Sequence, residues 1–558
     1  MRKHALILAL LAPLGLACPA LAQWPLVLRE NLPVAADSTL REKDPIAIPF
    51  PDGSTLVVFW HEDLGNCYQI ITGDGQLTFS QPQQLIVGPA QPEYYAKVAA
   101  DGCGGAVLGW TRTDNGPSPG TYAQRLDSLG NRLWGDTGVF VDTISSGDFD
   151  ICSDGMGGMY AAVSYNPPGS TFAYIRLQRV SSSGEVPWGL GGRLVCNLPT
   201  EERYPRLAPD DLGGCYVVWD DRRPPYAYNG AIFRQRFNAD GNDVWVSNGL
   251  FTCPGGETLH QIIPDGRNGF LLHSNTSGEH NTVFRIAPNG NILWSQDYVS
   301  WYSTAEIVSG ELGFFYLGFV YGYDAHVYGQ RIDLNGRIYW PTWGSGRVGA
   351  PMMVLPGWGC GVINFAYHYP YFYAAASFVR MPNYRPYFLN FQKMDSVANR
   401  QFGMSGIRLT YYPVGPSGGG FEFQNLNIVP DGWGGAAAIW NRTNGGLIWD
   451  IYAKHVNADG SLGPPPPAPP ARPAAPANQR QTLSVSQNLI RYELPTTGRI
   501  SLALYNLLGQ QVAVLEEGEH IAGSYTVPLN LDHLPSGIYL LRLTTPSEAQ
   551  TAKVAVVR

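Results

Sequence analysis

A repeated turn-and-strand pattern constrains this chain more than any other feature of its sequence. A glycine-rich turn precedes an apolar segment that ends in tryptophan, most clearly where residues 101–105 lead to Trp110 and residues 210–214 lead to Trp219. Further copies begin at Asp52, Asp154, Asp265, Ser309, Pro356 and Asp431. The copies lie about 50 residues apart, with one longer gap in the seventh unit. A repeat of this length is typical of propellers and other repeat folds.

Each unit contains a second landmark further along the chain. In the clearest copy, Gln124 and Arg125 are followed by Gly130 and then by Trp134. The same spacing from glycine to aromatic recurs at Gly184 and Trp188, Gly241 and Trp245, Gly290 and Trp294, and Gly336 and Trp340. Apolar runs alternate with turn residues, and no useful length has a helical period. Each unit therefore predicts four short strands, which in the fourth unit are residues 204–208, 215–219, 231–237 and 244–251.

Four strands in about 50 residues predict an all-β chain with a closed β-propeller of about eight blades, seven being the alternative. The last unit lacks its aromatic residue, since Pro464 stands at that position. Trp24 and the apolar residues 26–28 follow the N-terminal leader. We expect Trp24 and its strand to complete the last blade and close the ring, which removes two exposed sheet edges. We interpret the repeated residues as structural, including Arg285, which occupies the position of Arg125 in its own unit.

The units are similar to the blades of sialidase-like, Asp-box propellers. In that family a turn with aspartate, glycine and tryptophan joins the third and fourth strands, as residues 238–245 do here. The pattern differs because the aromatic residue is one position further from the glycine, and the aspartate directly precedes the glycine. The resemblance implies the plan of the blade and does not carry over catalysis.

Both ends of the chain predict export. Residues 1–22 have the basic head, apolar core and small-residue cleavage site of a signal peptide. Residues 23–462 are the predicted propeller, the proline-rich residues 463–480 a linker, and residues 481–558 a small Ig-like β-sandwich. No other stretch has the roughly 20 apolar residues that a membrane-spanning helix needs. The net charge of −8 argues against nucleic acid as a partner.

The C-terminal segment resembles the type A sorting domain of the bacterial type IX secretion system. The motif residues that carry this resemblance are Tyr505, Asn506, Gly509, Gln510, Gly537, Tyr539, Lys553 and Arg558. The resemblance implies passage through the periplasm and the outer-membrane translocon to the outer surface or the medium. It also implies removal of the domain by a sortase-like protease, with possible attachment to surface lipopolysaccharide. An ordinary Ig-like accessory module is the alternative.

No catalytic, cofactor or metal motif is found. Residues 116–120 and 415–419 match the nucleophile-elbow pattern, but prolines and glycines surround both serines. Seven cysteines remain after residue 22, and none stands in a C-x-x-C pair. We therefore expect a protein that is not an enzyme and that needs no cofactor.

Two groups of residues are candidate ligand contacts. Asp220, Asp221, Arg222 and Arg223 follow the repeated tryptophan of the fourth unit, where we expect the loop between the second and third strands. Tyr367, Tyr369, Tyr371 and Tyr373 belong to an aromatic insertion that we place in the same loop of the seventh unit. Solvated loop charge and packing over a blade edge are the alternatives. The expected function is non-enzymatic binding of protein or glycan; a glycoside-cleaving propeller and a purely structural surface protein are the alternatives.

Overall fold

The computed structural model contains eight four-stranded antiparallel sheets and a smaller C-terminal pair of sheets. It describes residues 24–28, 30–36, 39–87, 96–112, 119–146, 148–255, 261–276, 280–299, 305–311, 313–321, 326–341, 349–356, 358–380, 385–410, 422–443, 449–465, 483–486, 489–494, 498–506, 511–520, 523–529, 537–545 and 549–556. These residues include no helix, so no helix among them is long and apolar enough to cross a membrane. The predicted signal peptide and most of the predicted linker lie outside the described residues.

The eight sheets are the predicted blades, and we name their strands A to D from the centre outward. Blade 1 is β2 (Glu42–Pro49), β3 (Thr55–His61), β4 (Gly65–Ile71) and β5 (Gln83–Gln84), and blade 2 is β6 (Lys97–Ala100), β7 (Ala106–Arg112), β8 (Gly120–Leu126) and β9 (Val139–Asp142). Blade 3 is β10 (Phe149–Ser153), β11 (Met159–Tyr165), β12 (Tyr174–Val180) and β13 (Arg193–Leu194), and blade 4 is β14 (Glu202–Pro209), β15 (Cys215–Asp221), β16 (Ala231–Phe237) and β17 (Leu250–Pro254). Blade 5 is β18 (Gln261–Pro264), β19 (Phe270–Thr276), β20 (His280–Ile286) and β21 (Ile292–Val299), and blade 6 is β22 (Ala305–Ser309), β23 (Phe314–Tyr321), β24 (His326–Asp333) and β25 (Ala350–Met353). Blade 7 is β26 (Trp358–His368), β27 (Tyr371–Arg380), β28 (Arg385–Met394) and β29 (Ile407–Arg408), and blade 8 is β30 (Glu422–Pro430), β31 (Ala436–Thr443), β32 (Trp449–Val456) and β1 (Leu32–Ala35).

The repeated aspartate and arginine build the turn between strands A and B. In blade 4, Asp210 Oδ1 accepts the N–H groups of Leu212 and Gly214 at 2.8 and 2.7 Å, and Asp210 Oδ2 pairs with Arg236 of strand C at 2.9 Å. Arg285 makes the same ion pair with Asp265 in blade 5. The structural interpretation of Arg285 is therefore confirmed. A buried carboxylate needs such partners, and the repeat supplies them in the same place in blades 2, 4 and 5.

The repeated glutamine anchors the segment between strands C and D. In blade 2, Gln124 Nε2 donates to the carbonyl of Gly135 at 2.7 Å, and its Oε1 accepts the N–H of Trp134 at 3.1 Å. The Nε1 of Trp134 then donates to the carbonyl of Ser182 in the next blade at 3.1 Å. Trp245, Trp294 and Trp340 donate in the same way to carbonyls of the next blade, so these tryptophans tie their own blades to the following ones.

The ring is closed between blades 8 and 1. Strand β30 contacts β2, as each innermost strand contacts the next around the centre. Asn427 Oδ1 of β30 accepts the N–H of Ala47 in β2 at 3.3 Å, and Asn427 Nδ2 donates to the carbonyl of Pro45 at 2.8 Å. Trp24 is buried, and its Nε1 donates to the carbonyl of Gly73 in blade 1 at 3.0 Å. Trp24 therefore links blade 8 to blade 1 by the same kind of bond with which Trp134 links blade 2 to blade 3.

Three sequence-based strand positions were wrong. The N-terminal strand of blade 8 is Leu32–Ala35 and not residues 26–28, because the aromatic landmark precedes strand D in most blades. For the same reason strand D of blade 4 begins at Leu250 and not at residue 244. In blade 7 the glycine-rich residues 356–361 do not form the A–B turn. Residues 358–361 instead belong to the long strand β26, which carries a register shift between Cys360 and Ile363.

The C-terminal segment forms two sheets that share one core. One sheet is β33 (Ser484–Ser486), β34 (Leu489–Leu494) and β37 (Gly523–Pro528); the other is β36 (Gln511–His520), β35 (Gly498–Asn506), β38 (Gly537–Thr544) and β39 (Ala549–Val556). Buried side chains from both sheets, such as Ile490 and Leu541, belong to a single apolar cluster. The result is the small β-sandwich that the alternating strands predict.

Candidate functional site

The order of the strands creates two faces on the propeller. The A–B and C–D turns lie on one face, which we call the A–B face. The B–C loops and the connections between blades lie on the other, which we call the B–C face. The two candidate groups of the sequence fall on different faces.

The charged group of blade 4 lies at the B–C face, but its aspartates are buried. Asp220 and Asp221 end strand β15 and are both buried. Asp221 Oδ2 accepts hydrogen bonds from Trp219 Nε1 at 3.1 Å and from the Arg223 guanidinium at 2.5 Å. Arg222 and Arg223 are half-buried at the start of the loop. The group is thus mainly an internal ion pair, and only its arginines have exposed surface.

Two further side chains complete this cluster, and the sequence did not single them out. Possible metal-ligating atoms of Cys196, Glu202 and Asp221 lie within 4.8 Å of one another. Arg223 Nη2 is 3.3 Å from the Cys196 sulfur, so a guanidinium already supplies the cation among these groups. Burial raises the pKa of Glu202 to about 8 and that of the Cys196 thiol to about 12. A glutamate begins strand A in both blade 4 and blade 1. In blade 1 this residue, Glu42, is also buried and lies 3.7 Å from His61. The shared position of the two glutamates was the signal that the sequence offered.

The aromatic group of blade 7 lies on the A–B face. Tyr367 pairs with Phe372, and His368 pairs with Tyr371, so the chain turns at Tyr369 and Pro370 between strands A and B. The placement of this segment in the B–C loop was therefore wrong. The strands on either side of Tyr369 pair with each other over about ten residues. This pairing, and not the glycine-rich stretch at residues 356–361, decides where the A–B turn lies.

The four tyrosines differ in what they can contact. Tyr369, at the tip of the turn, is 71% exposed, whereas Tyr373 is fully buried. Tyr367 is half-buried, and its ring stacks on Tyr316 of blade 6 with centroids 4.6 Å apart. Tyr371 is half-buried beneath Lys393, whose Nζ is 4.2 Å from the ring centroid. Tyr369 is consequently the residue of the four that presents most of its ring to solvent.

A cavity of about 470 Å³ opens at the A–B face among blades 1, 2, 7 and 8. Its walls are turn residues, mostly proline, glycine and aromatic: Pro49, Phe50, Pro51, Gly53, Ala100, Gly102, Gly104, Gly105, Tyr367, His368, Pro430, Asp431 and Gly432. This volume is in the usual range of small-ligand sites, about 300–1,000 Å³.

Exposed apolar side chains recur on the A–B face, and the sequence reasoning missed them. They occupy the third position of the aspartate-led A–B turns: Met156 in blade 3, Leu212 in blade 4 and Trp433 in blade 8. Trp433 is 61% exposed, although Trp440 only seven residues later is fully buried. The third turn position points away from the blade core, so its apolar residues are not required for folding. That recurrence was the available signal.

The carboxylates of the innermost strands are engaged in holding the ring together. Asp150 Oδ2 accepts the N–H of Leu207 in the next blade at 3.0 Å, and Glu306 Oε2 accepts the N–H of Phe365 at 3.2 Å. Burial raises the pKa of Glu306 to about 7. These groups act as links between blades, as Asn427 does at the closure.

The sorting-motif residues fall in the second sheet of the C-terminal sandwich. Tyr505 and Asn506 end β35 and pair with Leu540 and Tyr539 of β38, which Gly537 begins. Lys553 pairs with Leu540 from β39. Gly509, Gln510 and Arg558 lie outside the described residues.

Comparison with known proteins defines the class of this part of the chain. Residues 475–557 match the family described as "Secretion system C-terminal sorting domain". The chain is thus an all-β protein of propeller blades that ends in a type IX sorting domain. The domain implies interaction with the type IX machinery, and so export to the cell surface or beyond. No curated protein matches the chain.

Several solved structures are similar to this chain at low identity. Prolyl oligopeptidase B from Galerina marginata is 11% identical with a TM-score of 0.39, over 73% of this chain and 56% of that chain. A protein of unknown function from Dyadobacter fermentans is 9% identical with a TM-score of 0.33, over 77% and 98%. The alpha-L-arabinanase of Penicillium chrysogenum, complexed with arabinobiose, is 12% identical with a TM-score of 0.32, over 55% and 99%. The chain spans little more than half of the peptidase, and likeness at these scores carries no argument about activity.

Proposed function

We propose that this chain is an exported binding protein without enzymatic activity, which contacts a protein or glycan through the A–B face of its propeller. The observation that carries the proposal is the exposed aromatic residues Tyr369 and Trp433 beside a cavity on that face. The carboxylates described above support a non-enzymatic role, because Asp221, Asp150 and Glu306 are each engaged in internal bonds.

The sorting domain has a transient role in this proposal. The signal peptide directs the chain to the periplasm, and the C-terminal domain directs it through the outer membrane. A sortase-like protease then removes the domain, and the propeller is released or joined to surface lipopolysaccharide. Mass spectrometry of the secreted form tests this: the C-terminal domain should be absent, and an intact C-terminus would contradict the processing step.

The test of binding is a panel of glycans and surface proteins probed with the purified chain, with a hydrolysis assay on the same panel. We expect saturable binding to at least one member with no turnover of any. Turnover of a glycan would refute the non-enzymatic role and favour a glycoside-cleaving propeller. Absence of binding and of turnover would refute the binding role and favour a purely structural surface protein.

A further inference from the structure

The cavity at the A–B face is bounded mostly by uncharged residues. Its lining contains no lysine or arginine, and Asp431 is the one carboxylate among the lining residues that the structure describes. Both oxygens of Asp431 are engaged: Oδ1 accepts the N–H groups of Trp433 and Gly435 at 2.7 and 2.9 Å, and Oδ2 is 3.0 Å from His455 Nε2. An anionic ligand would therefore meet no basic side chain among the lining residues.

The two exposed aromatic residues sit on the A–B turns of neighbouring blades, and the turn that carries Trp433 is held in place. Tyr369 forms the tip of the A–B turn of blade 7, and Trp433 forms that of blade 8. Lys393 Nζ of blade 7 donates to the carbonyls of Gly434 and Ala458 of blade 8 at 2.6 and 2.8 Å, and so clamps the turn that carries Trp433. Fixed aromatic surfaces lose little conformational freedom when a ligand stacks on them.

These features together describe a preformed stacking site. Exposure of a large aromatic ring to water is unfavourable, and these rings add nothing to the core. Such rings therefore mark contact surfaces. The turn glycines leave room beside the backbone: a Cβ at Gly53 or Gly432 would meet no atom within 4 Å, so a ligand can approach the backbone groups there. Hydroxyl groups of a ligand can bond to such backbone groups while its apolar faces stack on the rings.

We propose that the mouth of the cavity between blades 7 and 8 binds an uncharged carbohydrate, with Trp433 and Tyr369 as the stacking surfaces. This proposal rests on the proposed binding function and names its ligand class. The lining has a carboxylate, Asp431, and no basic side chain, which favours neutral sugars over acidic polysaccharides. The concave shape of the opening favours a chain end or a short oligosaccharide over a flat protein surface.

The experiment measures binding of neutral and acidic oligosaccharides to the full chain and to three variants. Trp433→Ala and Tyr369→Ala remove the two rings, and both residues are exposed, so thermal unfolding should not change. Tyr228→Ala is the matched control, since Tyr228 is 95% exposed in the B–C loop of blade 4, on the opposite face. We expect affinity for a neutral oligosaccharide to fall at least about tenfold in each of the first two variants and to stay unchanged in the third.

Each contrary result overturns a different statement. Neutral-sugar binding that survives both ring removals would overturn this site and leave the binding function standing. Preference for acidic sugars, with affinity that falls as salt rises, would overturn the neutral ligand class. Binding of a protein from the panel that is lost in Trp433→Ala, without any sugar binding, would overturn the carbohydrate assignment. Failure of the whole panel would refute the proposed function itself.

Discussion

The buried carboxyl group of Glu202 should make the stability of this propeller depend on pH in a defined direction. The side chain is fully buried between blades 3 and 4, and its Oε2 accepts the N–H of Ile175 at 2.9 Å. Burial, with a smaller contribution from Asp221, raises its pKa from 4.5 to about 8, against the opposing effects of the Ile175 and Cys196 hydrogen bonds and of Arg223. The folded protein therefore keeps a proton on Glu202 at pH values where the unfolded chain has lost it.

The sign follows from proton binding. Below pH 4.5 Glu202 is mostly protonated in both the folded and the unfolded state, so its titration takes nothing from the free energy of unfolding. As pH rises toward 8 the unfolded chain alone ionises, so the free energy of unfolding falls by up to about 1.4 kcal/mol per pH unit. Between pH 5 and pH 8 the loss is on the order of 3 kcal/mol.

The substitution Glu202→Gln removes this titration while keeping an oxygen for the N–H of Ile175. We expect the variant to gain stability relative to the native chain as pH rises, by on the order of 3 kcal/mol from pH 5 to pH 8. Denaturant unfolding at four pH values in that range measures the difference, in which other titrating groups cancel. Glu185→Gln, the same change at an exposed turn position, controls for the loss of one carboxylate. A difference between Glu202→Gln and the native chain that stays constant over the range would refute the reasoning.

Three further perturbations test the ring and its turns. Trp24→Ala should lower the free energy of unfolding by about 3–5 kcal/mol in denaturant titration, since it empties the closure site, while Leu26→Ala at a 70% exposed position should change it little. Asp210→Ala should cost about 3–5 kcal/mol by leaving Arg236 half-buried without its carboxylate; a loss below 1 kcal/mol would show that the A–B turn does not depend on the pair. Burial lowers the pKa of Lys454 to about 8, so its charged form is disfavoured in the fold. Thermal unfolding should therefore show the native chain gaining stability relative to Lys454→Gln as pH rises from 8 to 10, and equal pH profiles would contradict this.

Most of the fold was predictable because its signals are local and repeated. The aspartate of each A–B turn binds N–H groups two and four residues away, as Asp210 does with Leu212 and Gly214, so its spacing is visible in the chain. The landmark aromatic and its glutamine also lie ten residues apart, as Gln124 and Trp134 do. Repetition of these short-range rules at intervals of about 50 residues is what identified the blades.

The candidate site was less predictable, because exposure is decided by packing. Asp221 looked like loop charge, but the blades bury it against Trp219 and Arg223. Trp433 and Trp440 are the same type of residue in one unit, yet one is exposed and the other is fully buried. Trp440 lies on the buried side of a strand, whereas Trp433 lies at the tip of a turn. These positions decide the exposure, and residue type alone does not reveal them.

The amino-acid sequence by itself determined the repeat, the all-β blades, the use of Trp24 at the closure and the C-terminal sorting domain. Each of these depends on residue types at short, fixed spacings, or on a motif of known order. The tertiary structure alone decided that the tyrosines of blade 7 lie on the A–B face, that Leu32–Ala35 is the closing strand, and that Cys196 and Glu202 meet Asp221. These depend on which strands pair and how neighbouring blades pack, and such contacts join residues whose separation along the chain carries no local signal.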